Sequence, residues 1–171
     1  MAKEDYLRRS PTRFDDPDYQ SCYEHWLTIK GEGWAPAWRD WQWMALPLDL
    51  IPYFLVVDVI DDPPDFVYRF WGSAYVNMHG IDMTGRSVNE IRSPVTARNT
   101  FEQYAEVVAC REAIGAVYAI QTGEHEIQHV QTSLRMPMSN DGRRVDHIVT
   151  YSDWRADEDE IRDEHIRIYG K

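Results

Sequence analysis

Residues 128–138 read Gln128-His129-Val130-Gln131-Thr132-Ser133-Leu134-Arg135-Met136-Pro137-Met138, and the fold turns on this stretch. Val130, Thr132, Leu134, Met136 and Met138 alternate with His129, Gln131, Ser133 and Arg135. That is the period of a strand with one covered face and one wet or partly covered face. Ser139-Asn140-Asp141-Gly142 follows, a turn in which Asp-Gly supplies the positive φ that a hairpin needs, and residues 145–154 return as the partner strand. Upstream, residues 116–121 form an apolar run that reads as a buried strand, set off by Gly123. Three consecutive antiparallel strands are therefore expected at this end of the chain.

Working outward, Ser93 and Pro94 start the longest helix, an N-cap followed by a residue whose missing N–H costs nothing there. Ala97, Phe101, Tyr104, Ala105 and Val108 form its core-facing stripe, which predicts a helix over 94 to about 113 with Gly115 as its left-handed cap. Before it, residues 54–60 and 66–71 are β-branched and aromatic. They predict a hairpin with a longish connection through Asp61-Asp62-Pro63-Pro64, since two prolines bar both helix and ladder. A short helix at 73–78 closes at Gly80, a turn forms at Thr84-Gly85-Arg86, and a helical turn spans 88–91. Asp16 and Pro17 start a helix carrying Tyr19, Cys22, Tyr23 and Trp26 on one face, stopped by Gly31 and Gly33. Trp34, Trp38, Trp41 and Trp43 then crowd a loop-rich segment that must cover something apolar, the protein's own sheet in preference to a partner.

These elements divide the chain into an arm over 1–15, a domain over 16–154 and an acidic helix over 155–171. That last helix opens on Asp157 and Glu160 and carries only Ile161, His165 and Ile168 as an apolar stripe, so it is expected to dock on the domain or on a second copy. Strands grouped as a hairpin and a meander, with helices between, indicate an α+β fold: an antiparallel sheet with helices on one face, not a parallel α/β sheet.

A chain of 171 residues holds one domain with a real core, and 43% hydrophobic residues exclude disorder. The net charge of −11 and the absence of a basic run argue against nucleic acid and anionic membranes as partners. The longest apolar stretch, residues 50–57, contains Pro52 and is far short of the ~20 residues that a membrane span requires. The acidic start Met1-Ala2-Lys3-Glu4-Asp5 is no secretory signal, and Cys22 and Cys110 match no zinc or redox spacing. A cytoplasmic protein with two reduced cysteines is the expectation.

The run Phe66-Val67-Tyr68-Arg69-Phe70-Trp71-Gly72, then His79-Gly80-Ile81-Asp82-Met83-Thr84-Gly85-Arg86, then Met136-Pro137-Met138-Ser139-Asn140-Asp141-Gly142 resembles a bacterial family of PAS modules. Tyr23 to Trp26 resembles that family's aromatic-Trp pair, so the resemblance spans roughly residues 19 to 154. It implies a five-stranded antiparallel PAS-like sheet wrapped by short helices and one long helix around a small pocket. It also implies a sensory or adaptor role and no catalysis. PAS modules bind haem, flavin, small organic ligands or nothing. A haem ligand is commonly a histidine on the long helix, and this helix has none. Cys110-Arg111-Glu112 does not match a flavin-reactive cysteine segment. Haem and flavin-adduct chemistry are both disfavoured, and the cofactor stays unknown.

The pocket residues expected from this reading are Val130, Thr132, Leu134 and Met136 on the inward strand face, and Phe101 and Tyr104 from the long helix. Arg69 and Tyr75 would be polar anchors and His79 a further candidate, itself more readily satisfied by backbone near Gly80. An inward Arg69 would make an acidic ligand plausible, whereas an outward one would be a surface residue and the natural partner of Asp58. Glu124-His125-Glu126 and His129 could chelate from a helix, but on a strand residues four apart lie ~13 Å apart, so no metal is expected. No nucleophile–base pair or phosphate loop is visible. The expected protein is a sensor or adaptor without an output domain of its own, binding a small molecule, a protein partner or both, and forming a homodimer through the tryptophan segment or the terminal helix. A small α+β-barrel enzyme, or a structural module whose pocket is filled by side chains, are the alternatives.

Overall fold

The Asp16 carboxylate accepts the backbone N–H groups of Asp18 (2.8 Å) and Tyr19 (3.3 Å), and α1 runs from this cap over Pro17–Lys30. The computed structural model describes residues 7–9, 11, 16–122 and 126–155, with side chains for 11, 16–116 and 132–155. The 155–171 helix past Arg155, and the Glu124 and His125 positions, lie outside the described residues. Six strands, β1 (Leu7–Arg9), β2 (Phe54–Asp61), β3 (Pro64–Trp71), β4 (Ile114–Thr122), β5 (Glu126–Met138) and β6 (His147–Asp153), form one antiparallel sheet. Its order is β1-β4-β5-β6-β2-β3. Five of these strands are the expected hairpin and meander. The sixth, β1, falls within the stretch read as an arm and pairs with β4, Arg8 opposite Ala116. Between β3 and β4 come α2 (Ser73–His79), a 3₁₀ turn (Val88–Glu90) and α3 (Pro94–Cys110). The result is α+β and PAS-like, as the resemblance implied.

Local chemistry explains most boundaries. The Ser93 hydroxyl caps α3 by accepting the N–H of Thr96 (3.3 Å). Ser87 and Glu90 form a reciprocal capping box on the 3₁₀ turn. Three expectations are corrected. The β2–β3 connection is only Asp62 and Pro63, because Pro64 already belongs to β3; at the first position of a sheet-edge strand a proline removes no needed donor. The helix α3 ends at Cys110 with Arg111 itself left-handed at φ 57°, so Gly115 is no cap but a β4 residue opposite Leu134. The β5–β6 turn is longer than a tight hairpin, running through 139–146 with Gly142 at φ 68°.

The sheet is covered on both faces, not one. Leu55, Val57, Phe66, Tyr68 and Ile148 face α2 and α3, where Tyr75, Met78, Tyr104 and Val107 meet them. Val56, Leu134, Met136, Met138, Val149 and Tyr151 face the other way, onto Tyr19, Cys22 and Trp26 of α1 and onto Trp41, Leu46 and Leu50. The tryptophan segment thus covers the protein's own sheet. Trp34 Nε1 of this segment donates to the Gly142 carbonyl (2.8 Å), and Trp26 Nε1 of α1 donates to that of Pro137 (2.9 Å), so both tie to the β5–β6 side. Gly72, between β3 and α2, is obligatory for space, since a Cβ there would sit 2.1 Å from the Pro52 carbonyl oxygen. No helix among the described residues is long and apolar enough to cross a membrane.

Candidate functional site

Cross-strand register places a row of residues straight across the face beneath α2 and α3. Trp71 lies opposite Leu55, Leu55 opposite Thr150, Thr150 opposite Arg135, and Arg135 opposite Ile114. One step along the strands, Ser133 lies opposite Ser152. Because side chains alternate, Ser133, Arg135, Thr150 and Ser152 all point to the same face, the one opposite Leu134, Met136, Val149 and Tyr151. All four are buried, Arg135 at 7% exposure. A polar patch therefore occupies the middle of the sheet under a roof of rings.

The geometry of this patch is specific. Arg135 Nη1 donates to the Ser133 hydroxyl (2.6 Å) and Nη2 to Gln103 Oε1 on α3 (2.7 Å), while its guanidinium lies 5.0 Å from the Tyr104 ring centroid. Tyr75 of α2 packs edge-on to Trp154 (4.4 Å) and against Trp71 (5.2 Å), which meets Tyr68 (4.6 Å). Burial, reinforced by the neighbouring Tyr104, pushes the Tyr68 hydroxyl's pKa well above its usual value, so it stays protonated. Trp71 Nε1, Trp154 Nε1 and Thr150 Oγ1 are buried and have no hydrogen-bond partner among the described residues. Each such group costs about 1–3 kcal/mol unless something satisfies it.

Against the sequence reading, Tyr75, Phe101 and Tyr104 do reach this interior, Phe101 by packing on Phe66 at 5.1 Å. His79 sits at its margin, its ring parallel to Tyr75 at 6.3 Å. Leu134 and Met136 do not reach it. They belong to the opposite core, because the face read as wet is the one that α3 covers. Thr132 is half-buried on the strand face shared with Leu134, and Val130 pairs with Ala119 in the ladder, its side chain lying outside the described residues. Arg69 points outward and holds Asp58 in a two-point ion pair (2.6 and 3.0 Å), so the acidic-ligand idea built on Arg69 lapses. The residues missed were Ser133, Arg135, Thr150, Ser152, Trp71 and Trp154. One signal could have found them: adjacent central strands whose polar positions coincide in register.

A second polar cluster lies on the opposite face. His147 Nε2 is 3.2 Å from Asp58 Oδ1, and Trp38 stacks over the imidazole at 5.5 Å. Burial lowers the His147 pKa, with Asp58 opposing that shift. Elsewhere an open groove of about 600 Å³ runs between α1 and the end of α3, lined by Tyr23, Trp26, Lys30, Trp34 and Arg111 among others. No three His, Cys, Asp or Glu residues among those described converge as metal ligands.

Fold and site together define a PAS-like module with a polar, ring-roofed interior. No family model matches the chain, and no curated protein matches it. Among solved structures, an RNA-binding light-oxygen-voltage receptor is similar over 71% of this chain and 37% of that one, at 16% identity and a TM-score of 0.42. The chain thus spans little more than a third of that receptor's length, and a likeness of this size brings no ligand, partner or activity with it.

Proposed function

We propose that the protein is a sensory or adaptor module that takes a small molecule into the interior between its sheet and α2/α3, and acts by association, not catalysis. The observation that carries this reading is the set of buried, unpartnered Trp71 Nε1, Trp154 Nε1 and Thr150 Oγ1 groups beside the buried Arg135. A few fixed polar groups among largely apolar, aromatic side chains are what small-molecule sites use. A non-catalytic role is supported by the separation of parts: the His147–Asp58 pair lies on the other side of the sheet from this interior. The adaptor aspect, including association with a second copy, is supported by Met44 and Leu48, which leave the tryptophan segment exposed at 79% and 58%.

A side-chain-filled structural module is the second reading, favoured by ring centroids only 4.4–5.2 Å apart along Trp154, Tyr75, Trp71 and Tyr68. Native mass spectrometry of gently purified protein, followed by thermal unfolding with candidate ligands, separates the two. The expected outcome is a bound compound or a saturable rise in Tm. A ligand at a hundred times its Kd stabilises by about 2.7 kcal/mol. An empty protein whose Tm no compound moves would establish the filled module instead.

A further inference from the structure

Going beyond the interior site, we infer that the β4–β5 hairpin is a pairing arm whose β4 edge, over residues 118–122, joins the same edge of a second copy of this chain in one antiparallel sheet. The strand register carries this. β1 reaches along β4 only to Leu7 opposite Val117, and β6 reaches along β5 only to Asp153 opposite Thr132. Past those points residues 118–122 and 126–131 pair only with each other among the described residues. The hairpin therefore runs on past the six-stranded sheet as a two-stranded ribbon with an open backbone edge on each side. Two strands alone are marginal in water, and three or more are needed for a stable unit.

Composition picks the edge. On β5 the ribbon carries Glu126, and its register breaks so that His129 lies opposite Ile120 but Ile127 opposite Gln121, leaving Gln128 as the extra residue of a bulge. A charge and a bulge are devices by which proteins blunt an edge. The β4 edge, Tyr118-Ala119-Ile120-Gln121-Thr122, has no charge, proline or glycine, and all nine residues of β4 lack Asp, Glu, Lys and Arg, against 27% charged residues in the whole chain.

Charge and symmetry pick the occupant. Two copies at −11 each repel, so they meet where charge is lowest. A two-fold pairing centred on Ile120 sets Tyr118 opposite the partner's Thr122 and Ala119 opposite the partner's Gln121, with no like charges facing and an aromatic against a β-branched residue. Each copy offers the same edge, so the pair closes on itself, and two ribbons make four strands where a foreign peptide strand would make three. The competing occupant is the chain before Leu7. Continuing the β1 register would set Asp5, Glu4 and Lys3 opposite Ala119, Ile120 and Gln121, and these charged residues are depleted in strands.

Light scattering and hydrogen exchange on the full chain across a range of concentrations test the inference. The weight-average mass is expected to rise toward twice that of one chain, and the amides of 118–122 to exchange more slowly as it does, while those of 126–131 do not change. Gln121→Lys with Thr122→Lys should raise the dimer dissociation constant at least ten-fold, with circular dichroism confirming a folded protein. Ile120→Cys in a Cys110→Ser background should cross-link two copies on oxidation, since a two-fold axis there brings the two thiols together. A dimer that survives the lysine changes but is lost in Met44→Lys with Leu48→Lys, its 118–122 amides indifferent to concentration, overturns the edge pairing and leaves association through the tryptophan segment standing. A monomer at every concentration overturns the inference: slow exchange over 118–122 would then give that edge to the residues before Leu7, and fast exchange would leave it open. Neither result touches ligand binding in the interior.

Discussion

His147 is a histidine that the structure shields from solvent on the α1 side of the sheet. Its ring lies beneath Trp38, its Nε2 meets Asp58, and its Nδ1 is buried without a partner among the described residues. The charged groups facing it are Asp58 on β2, Arg69 on β3 and Asp146 beside it. Burial dominates and lowers its pKa, Asp58 raises it, Arg69 lowers it and Asp146 raises it. A lowered pKa means that the unfolded chain, near ~6.5, binds the proton more readily than the folded one. Stability contributed by neutral His147 is therefore present above that value and is lost as pH falls through it. Burial lowers the pKa of His25 in the same direction. Urea unfolding should show a less stable protein at pH 5.5 than at pH 7.5, and His147→Gln should flatten that difference. An unchanged pH dependence in the variant would assign the effect to other groups.

At the scale of elements, the helices were legible because their signals are local. Asp16-Pro17 and Ser93-Pro94 fix two helix starts within two residues each, whatever packs on top. Strand faces were less legible, and β3 shows why. Val56 lies opposite Phe70 but Val57 lies opposite Tyr68, so Arg69 is the extra residue of a bulge. The bulge reverses the alternation, turning Tyr68 toward α3 and Phe70 toward the tryptophan segment. No period-2 reading of 66–71 contains that information. On β5, Ser133 and Arg135 were assigned to water because their burial depends on α3, which lies some thirty residues earlier in the chain (Gln103 to Arg135). The end of α3 was misplaced for a related reason: a left-handed arginine stands where a glycine is the usual choice. A left-handed L-residue costs roughly 1–2 kcal/mol, while the Arg111 stack on Trp34 (5.4 Å) returns about 0.5–1 kcal/mol at an exposed site. Arg111→Gly is accordingly expected to raise stability by about half a kcal/mol, measured by denaturant titration. A loss of that size would mean that the Trp34 contact outweighs the backbone strain.

At the scale of the whole molecule, the sheet is a partition between two cores of different character. The α1 side is built on Leu134, Met136, Met138, Val149 and Phe54, with His147 and Asp58 as a polar pair beneath Trp38, and the α3 side carries the Ser133, Arg135, Thr150 and Ser152 patch among its rings. A module of the proposed kind has to pass the state of the patch to a surface, either through the sheet into the α1 core or around it through the elements at its ends. Paired truncations distinguish these routes. Met136→Ala removes a fully buried side chain from one core and Val107→Ala one from the other. The methionine change should cost about 2–5 kcal/mol, and the valine change somewhat less. Residues with no shared partners usually add within about 0.5 kcal/mol, so the double variant should lose the sum of the two single losses. Additive behaviour in urea unfolding would direct the search for signal transmission to α2, α3 and the strand ends. A coupling above about 1 kcal/mol would mean instead that the strands transmit strain between the cores, and Met136→Ala would then also be expected to weaken ligand binding on the far side.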